Sequence, residues 1–177
     1  MCKFIQMDLS AGLQSITSLR YIPDVKKCCH KFLSYLQDDF SVVDKSDILG
    51  FIQKNSPYFW LILDNLNDEF MGFVYLDNFV GNEKLLFSAE LTTCFDRKAW
   101  GNFTRYSAKF FLKKCFDEFG LYKIKAQIYP DNFRVKTLLK SCGFKKESVL
   151  KNETLRLNKL QDIEVYSLYR DYYYKTR

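Results

Sequence analysis

The spacing of apolar residues changes along the chain and divides it. Over the first 56 residues the pattern is mostly helical, apart from a strand expected at Lys3–Asp8. Val25, Cys28, Cys29, Phe32, Leu33 and Leu36 recur three and four apart, which predicts a helix capped by Asp24 and running to about Asp38. Ile48, Leu49, Phe51 and Ile52 predict a second helix, begun by Asp44 or Ser46. After Pro57 the period shortens. Tyr58–Leu63 and Phe70–Leu76 are compact apolar, aromatic runs separated by the turn-forming DNLNDE, the pattern of a β-hairpin. A third strand is expected at Leu85–Phe95, after a loop at Asn78–Lys84.

Helical spacing then returns. Ala108, Phe111, Leu112, Cys115, Phe116 and Phe119 line one face, Lys109, Lys113, Lys114 and Glu118 the other, and Gly120 ends the helix. Tyr122–Tyr129 reads as a strand stopped by Pro130–Asp131–Asn132. A shorter helix carries Val135, Leu138, Leu139 and Cys142 and stops at Gly143. Two last strands, near Phe144–Leu150 and Ile163–Tyr169, flank a polar turn. Helices, three strands, helix, strand, helix and two strands make a mixed sheet with helices packed on it, an α/β or α+β fold.

Composition narrows the class. With 177 residues, 47% apolar and 18% aromatic, one domain can bury enough surface to fold without disulfide or metal. No apolar run approaches a membrane span, and the start, MCKFIQMDLSAG, lacks the apolar core of a secretory signal. A single cytoplasmic domain is the expectation. The net charge of +6 permits an anionic ligand without requiring nucleic acid. Six scattered cysteines, with no CxxC pair, read as reduced small hydrophobes. Cys28, Cys29 and His30 are adjacent, but helical neighbours point about 100° apart and no second ligand cluster exists, so no metal site is expected. His30, the only histidine, lies among Lys26, Lys27 and Lys31 and reads as helix surface.

The candidate chemistry lies in AELTTCFDRKAWGNFTRYSAKFF, a strand, a short loop and a helix N-terminus. Free backbone N–H groups and the positive end of the helix dipole suit an anion there, and Arg97, Lys98 and Arg105 add charge. Glu90 is the only acid inside the third strand. Its spacing alone leaves it facing solvent or paired with a lysine.

AELTTCFDRKAWGN, followed by KIKAQIYPDNFRVKTLLKSCGF, resembles the core of the GNAT acetyltransferase superfamily, most nearly its ribosomal-protein N-terminal acetyltransferase-like branch. Glu90 stands ten residues before Trp100–Gly101, and Asn132 eleven before Gly143–Phe144, as in that group's two signatures. The likeness covers roughly residues 58–170 as a cofactor-binding core and leaves 1–56 as an acceptor-side region. It implies a mostly antiparallel sheet with helices on both faces, and acetyl-CoA in a wedge between the third and fourth core strands.

By the same resemblance, Cys94 and Phe95 would pair with the pantetheine arm through their backbone. Trp100 opens the loop in which Gly101, Asn102, Phe103, Thr104 and Arg105 would hold the pyrophosphate, and Asn132 would bond the pantetheine. Glu90 would be the base that frees a primary amine for direct attack. The acceptor would be a protein N-terminus or a small molecule, and the protein a monomer or homodimer, without membrane. Two departures stand out. Phe103 and Arg105 replace small residues of the usual glycine-rich loop, and Leu139 stands where many members carry a tyrosine acid. The alternative is a GNAT-fold binding or structural module that has lost catalysis. A nucleic-acid role has only charge and the tail YSLYRDYYYKTR in its favour, and the basic residues are dispersed.

Overall fold

The computed structural model describes residues 1–8, 16–36, 47–82 and 84–175. Its strands are β1 (Cys2–Gln6), β2 (Phe59–Asp64), β3 (Phe70–Asn82), β4 (Leu85–Phe95), β5 (Lys123–Ile128), β6 (Lys145–Arg156) and β7 (Lys159–Tyr169). Its helices are α1 (Ile16–Leu19), α2 (Ile22–Lys31), α3 (Leu33–Leu36), α4 (Ile48–Asn55), α5 (Asn102–Asp117), α6 (Phe133–Ser141) and α7 (Arg170–Lys175). The strands form one sheet in the order β1-β2-β3-β4-β5-β7-β6. Antiparallel pairing holds β1 to β2, β2 to β3, and β7 to both β5 and β6, whereas β4 and β5 run parallel. The expected mixed, mostly antiparallel α/β fold is the observed one.

By packing, the chain divides into two compact units, Met1–Leu76 with Thr93–Ser107, and Asp77–Thr92 with Ala108–Arg177. The first is built on aromatic burial. Val25, Cys28, Cys29, Ile48, Phe51 and Ile52 of α2 and α4 pack against Phe59, Leu61 and Leu63 of β2 and Phe73 and Tyr75 of β3. Phe51 meets Phe59 and Tyr75 edge-on, at 5.9 and 5.4 Å, and Phe59 stacks on Phe73 at 5.3 Å. Trp60 and Ile62 on the opposite face of β2 are also buried, so this strand is covered on both sides, as its unbroken apolar run requires.

In the second unit, the apolar face of α5 is buried at Phe111, Leu112, Cys115 and Phe116, and Tyr173 of α7 packs on Phe116 at 5.0 Å. Ion pairs do much of the remaining joining. Glu164 of β7, only 8% exposed, receives Lys136 of α6 at 2.9 Å and Lys146 of β6 at 2.8 Å. Arg156 of β6 grips Asp131 through both guanidinium nitrogens, at 2.9 and 2.5 Å, and lies over Tyr129.

Several boundaries differ from the sequence reading. Asp24 does not cap α2: the helix starts at Ile22, with Pro23 and Asp24 in its first turn, where a proline lacks no needed N–H. Asp47 caps α4 by accepting the Gly50 N–H at 2.7 Å. The end of the first helix near Asp38 and the starts at Asp44 and Ser46 lie outside the described residues. The Asn78–Lys84 loop is mostly strand, because β3 continues to Asn82 along an exposed stretch with no apolar run to betray it. β6 and β7 likewise extend to Arg156 and Lys159, joined by Leu157 and Asn158 with φ of 52° and 59°. That is the backbone of a tight hairpin turn, made without the usual glycine.

All six cysteines are buried thiols, and His30 is exposed, both as expected. Among the described residues no cluster of His, Cys, Asp and Glu could hold a metal ion, and no helix is long and apolar enough to cross a membrane.

Candidate active site

Among the described residues, the parallel pairing is short. β4 and β5 are in register from Ser88↔Lys123 to Glu90↔Lys125, yet β4 runs on to Phe95 and β5 to Ile128. Beyond Glu90, then, Leu91 and Thr92 of β4 and Ala126–Ile128 of β5 have no ladder between them, while β5 stays paired with β7 through Ile128. Unladdered N–H and C=O groups along a strand are what an extended, amide-bearing ligand can pair with.

Glu90 is the last laddered residue of β4 at this opening. It is half-buried, and no lysine pairs with it among the described residues. Lys125 is opposite it in register but makes no ion pair with it among the described residues. Instead Oε2 accepts two side-chain amides: Asn78 Nδ2 from β3 at 3.2 Å and Gln127 Nε2 from β5 at 3.0 Å. Asn78 and Gln127 were not singled out from the sequence. Gln127 is a polar residue in the strand expected at Tyr122–Tyr129, whereas Asn78 falls in the expected Asn78–Lys84 loop.

In the first unit, Cys94 and Phe95 end β4, both buried. Gly72 of β3 makes their close seat possible: a Cβ there would lie 2.4 Å from the Cys94 carbonyl oxygen and 2.9 Å from Phe95 Cα. The chain is pinned next by Asp96, whose N–H donates to the Met71 carbonyl at 2.9 Å and whose carboxylate accepts the Lys98 N–H at 3.2 Å. Burial works to raise the Asp96 carboxyl, but the Lys98 N–H and the Lys31 ammonium outweigh it and hold it below the usual range. Cys94 is no nucleophile. Its contact with Cys28 Sγ at 3.4 Å and its burial push its thiol well up, so it stays protonated.

A single 3₁₀ turn, Arg97–Ala99, follows, then Trp100, Gly101 and the start of α5. Gly101 has φ +112°, a conformation that side-chain-bearing residues resist, and nothing stands within 4 Å of where its Cβ would be. Asn102, Phe103 and Thr104 form the first turn, whose N–H groups have no intrahelical partners; Arg105 N–H then donates to the Gly101 carbonyl at 3.2 Å. Thr104 Oγ1 donates to the Ala99 carbonyl at 2.7 Å, Phe103 is half-buried, and the Arg105 side chain is exposed. Trp100 is 38% exposed, with the Arg97 guanidinium 5.8 Å from its ring centre. The altered loop is therefore an ordinary helix start preceded by one obligatory glycine, and an anionic group fits its open N–H groups, dipole and adjacent Arg105.

Asn132, in the second unit, caps α6: its Oδ1 accepts the Val135 N–H at 3.3 Å, which leaves Nδ2 for other partners. Leu139 is buried on α6 and supplies no proton. Glu90 thus has its amide partners in its own unit, and Cys94, Phe95 and the Trp100–Arg105 segment form a continuous stretch in the other.

A family model described as an acetyltransferase (GNAT) domain matches residues 20–145. The fold is similar to that of a GNAT-family acetyltransferase from Bacillus anthracis, with 16% identity over 96% of this chain and 95% of that one and a TM-score of 0.76. It is also similar to spermidine N-acetyltransferase from Vibrio cholerae in complex with CoA and spermine, with 20% identity over 98% of both chains and a TM-score of 0.74. No curated protein matches the chain by sequence.

Proposed function

The chain belongs to the GNAT acetyltransferase family and is an acetyl-CoA-dependent N-acetyltransferase, and from that premise we propose that Glu90 is its catalytic base and a small-molecule primary amine its acceptor. One observation carries the assignment of the base: Glu90 is a half-buried carboxylate, free of any ion pair among the described residues, at the point where the β4–β5 ladder stops. A carboxylate locked to a lysine could not take up a proton without breaking that pair. Glu90, bonded only by neutral amides, can.

Acetyl-CoA supplies the activated acetyl group. Backbone groups of Cys94 and Phe95 would hold its pantetheine arm, and N–H groups from Gly101 to Arg105 would hold the pyrophosphate beside Trp100. Glu90 takes a proton from the acceptor ammonium, directly or through water, which turns a cation without a lone pair into a nucleophile. With Leu139 in place of a tyrosine, the thiol released, with an ordinary pKa of about 8.5, needs no side-chain acid. The choice of a small amine draws on the likeness to a polyamine acetyltransferase. None of the similar structures named above points to the ribosomal-protein branch, so a protein N-terminus is the second acceptor class.

Two measurements test the proposal. Acetyl-CoA at about 100 times its Kd stabilises the fold by about 2.7 kcal/mol, a rise of a few degrees in Tm. An unmoved melting curve at millimolar acetyl-CoA contradicts the binding assignments. Thiol release over a panel of polyamines, amino sugars, amino acids and N-terminal peptides then identifies the acceptor. Turnover of peptides alone overturns the small-amine reading.

A further inference from the structure

Three neighbouring strands each contribute one side chain to the row Asn78–Glu90–Gln127. Both amides donate to the same oxygen, Oε2, and Oε1 has no hydrogen-bond partner among the described residues. Two donors on one carboxylate oxygen occupy its two lone pairs, so an incoming proton goes to the other oxygen. The two donors also differ in how they are delivered. Gln127 lies beyond the last laddered pair, so its side chain spans the opening of β4 and β5 where backbone bonds have ceased. Asn78 reaches Glu90 from a backbone with φ of 46°, a left-handed conformation that few residues other than glycine and asparagine adopt readily.

We propose that Asn78 and Gln127 are positioning residues that clamp Glu90 Oε2 and present Oε1 to the acceptor amine. The inference rests on the reading of Glu90 as the base. In the proton transfer an ammonium N–H bond breaks and an Oε1–H bond forms; the ammonium becomes a neutral amine and the carboxylate a neutral acid. Nothing else is consumed. The clamp keeps the carboxylate from rotating while it waits in the unprotonated state, and because both donors are neutral they orient it without the competing pull of an ion pair.

The test combines three sets of variants, assayed with the panel amine that the wild-type enzyme turns over fastest. Gln127→Met keeps length and removes the donor; Asn78→Gly removes the amide and still accepts the left-handed backbone. Together they are expected to lower kcat about tenfold, as a misaligned base does, with KM for acetyl-CoA within about twofold and Tm within a few degrees. Glu90→Gln is expected to lose roughly a hundredfold. Adding the two amide changes to Glu90→Gln is expected to cost nothing further, because an orienting residue has no effect once the group it orients is gone. A wild-type kcat in the amide double variant, with Glu90→Gln slow, overturns the clamp and leaves the base assignment standing. A wild-type kcat in Glu90→Gln overturns both. An equal loss in the Glu90→Gln background shows that the amides act elsewhere and overturns the clamp as well. Should the double variant melt early, the single variants give the same comparison.

Discussion

The two units of the molecule hold their proposed functional residues by different physics. In the first, aromatic rings and close backbone contacts fix a stretch of main chain: Phe51, Phe59, Phe73 and Tyr75 fill the core, and Gly72 lets β3 lie against Cys94 and Phe95. What that unit offers a ligand is mostly backbone, at Cys94–Phe95 and at the start of α5. In the second, hydrogen bonds and ion pairs fix side chains: Asn78 and Gln127 on Glu90, Lys136 and Lys146 on Glu164, Arg156 on Asp131. What it offers is a carboxylate. The backbone proposed to bind acetyl-CoA rests on non-directional packing, and the proposed base on directional bonds. A change of volume should therefore disturb the first unit, and a change of charge or pH the second.

The largest effect is expected from the aromatic core. Phe59 is fully buried between Phe51, Phe73 and Tyr75. Phe59→Ala should cost about 3–5 kcal/mol through lost burial and the cavity left behind, read from the urea midpoint. A loss under about 1 kcal/mol would mean that this core is looser than its ring contacts indicate.

Charge should matter most in the other unit. Burial works to raise the Glu164 carboxyl, but Lys146 and Lys136 outweigh it and hold it below the ordinary range. Arg156 holds Asp131 low, and Lys123 with Ser167 does the same for Glu147. Groups whose carboxyls are lowered by folding stabilise the folded state above the unfolded pKa, about 4, and that contribution fades as pH falls through their folded values. Among the described residues the second unit has four such carboxyls, Asp131, Glu147, Asp162 and Glu164, against Asp68 and Asp96 in the first. Amide hydrogen exchange between pH 5 and 3 should thus show β5, β7 and β6 losing protection before β1 and β2. At neutral pH, Lys136→Met should cost about 1–3 kcal/mol, since Glu164 keeps Lys146 and the Tyr166 hydroxyl. Uniform loss of protection on acidification would erase the contrast.

The smallest effect sharpens the contrast inside the first unit, where one side chain is expected to assist the backbone. Arg105 is exposed beside the open N–H groups of α5. A charge-assisted contact from it to the pyrophosphate, screened by solvent, would be worth about 1.4 kcal/mol, a factor of ten in affinity. Arg105→Ala is expected to weaken acetyl-CoA binding about tenfold by calorimetry, with the loss shrinking as salt rises. Equal affinity at low salt would leave the backbone alone responsible.

The same division explains what could be read from the sequence. Apolar spacing found β2, the first half of β3, β4, the body of α5 and α6, because each presents a buried stripe or run to its neighbours. It missed the outer half of β3 and the second half of β6, whose residues are largely exposed and follow no apolar rhythm. Glu90 stood out as an acid in an apolar strand. Asn78 and Gln127 did not, because what makes them matter is a shared oxygen reached from residues 12 and 37 positions away. Gly72 was silent for the same reason: its constraint is the backbone of another strand, 2.4 Å from a missing Cβ. The loop after Gly101 looked damaged beside the glycine-rich pattern of its family, yet its open N–H groups follow from the helix start and need only the glycine that remains.

Glu90 is proposed to carry the proton transfer while other residues hold acetyl-CoA. Single-turnover acetyl transfer from preloaded acetyl-CoA, compared between wild type and Glu90→Gln at neutral pH, tests it directly, with calorimetric Kd values measured on the same samples. The expected result is a rate roughly a hundredfold lower at a nearly unchanged Kd. A rate within a few-fold of wild type would contradict it.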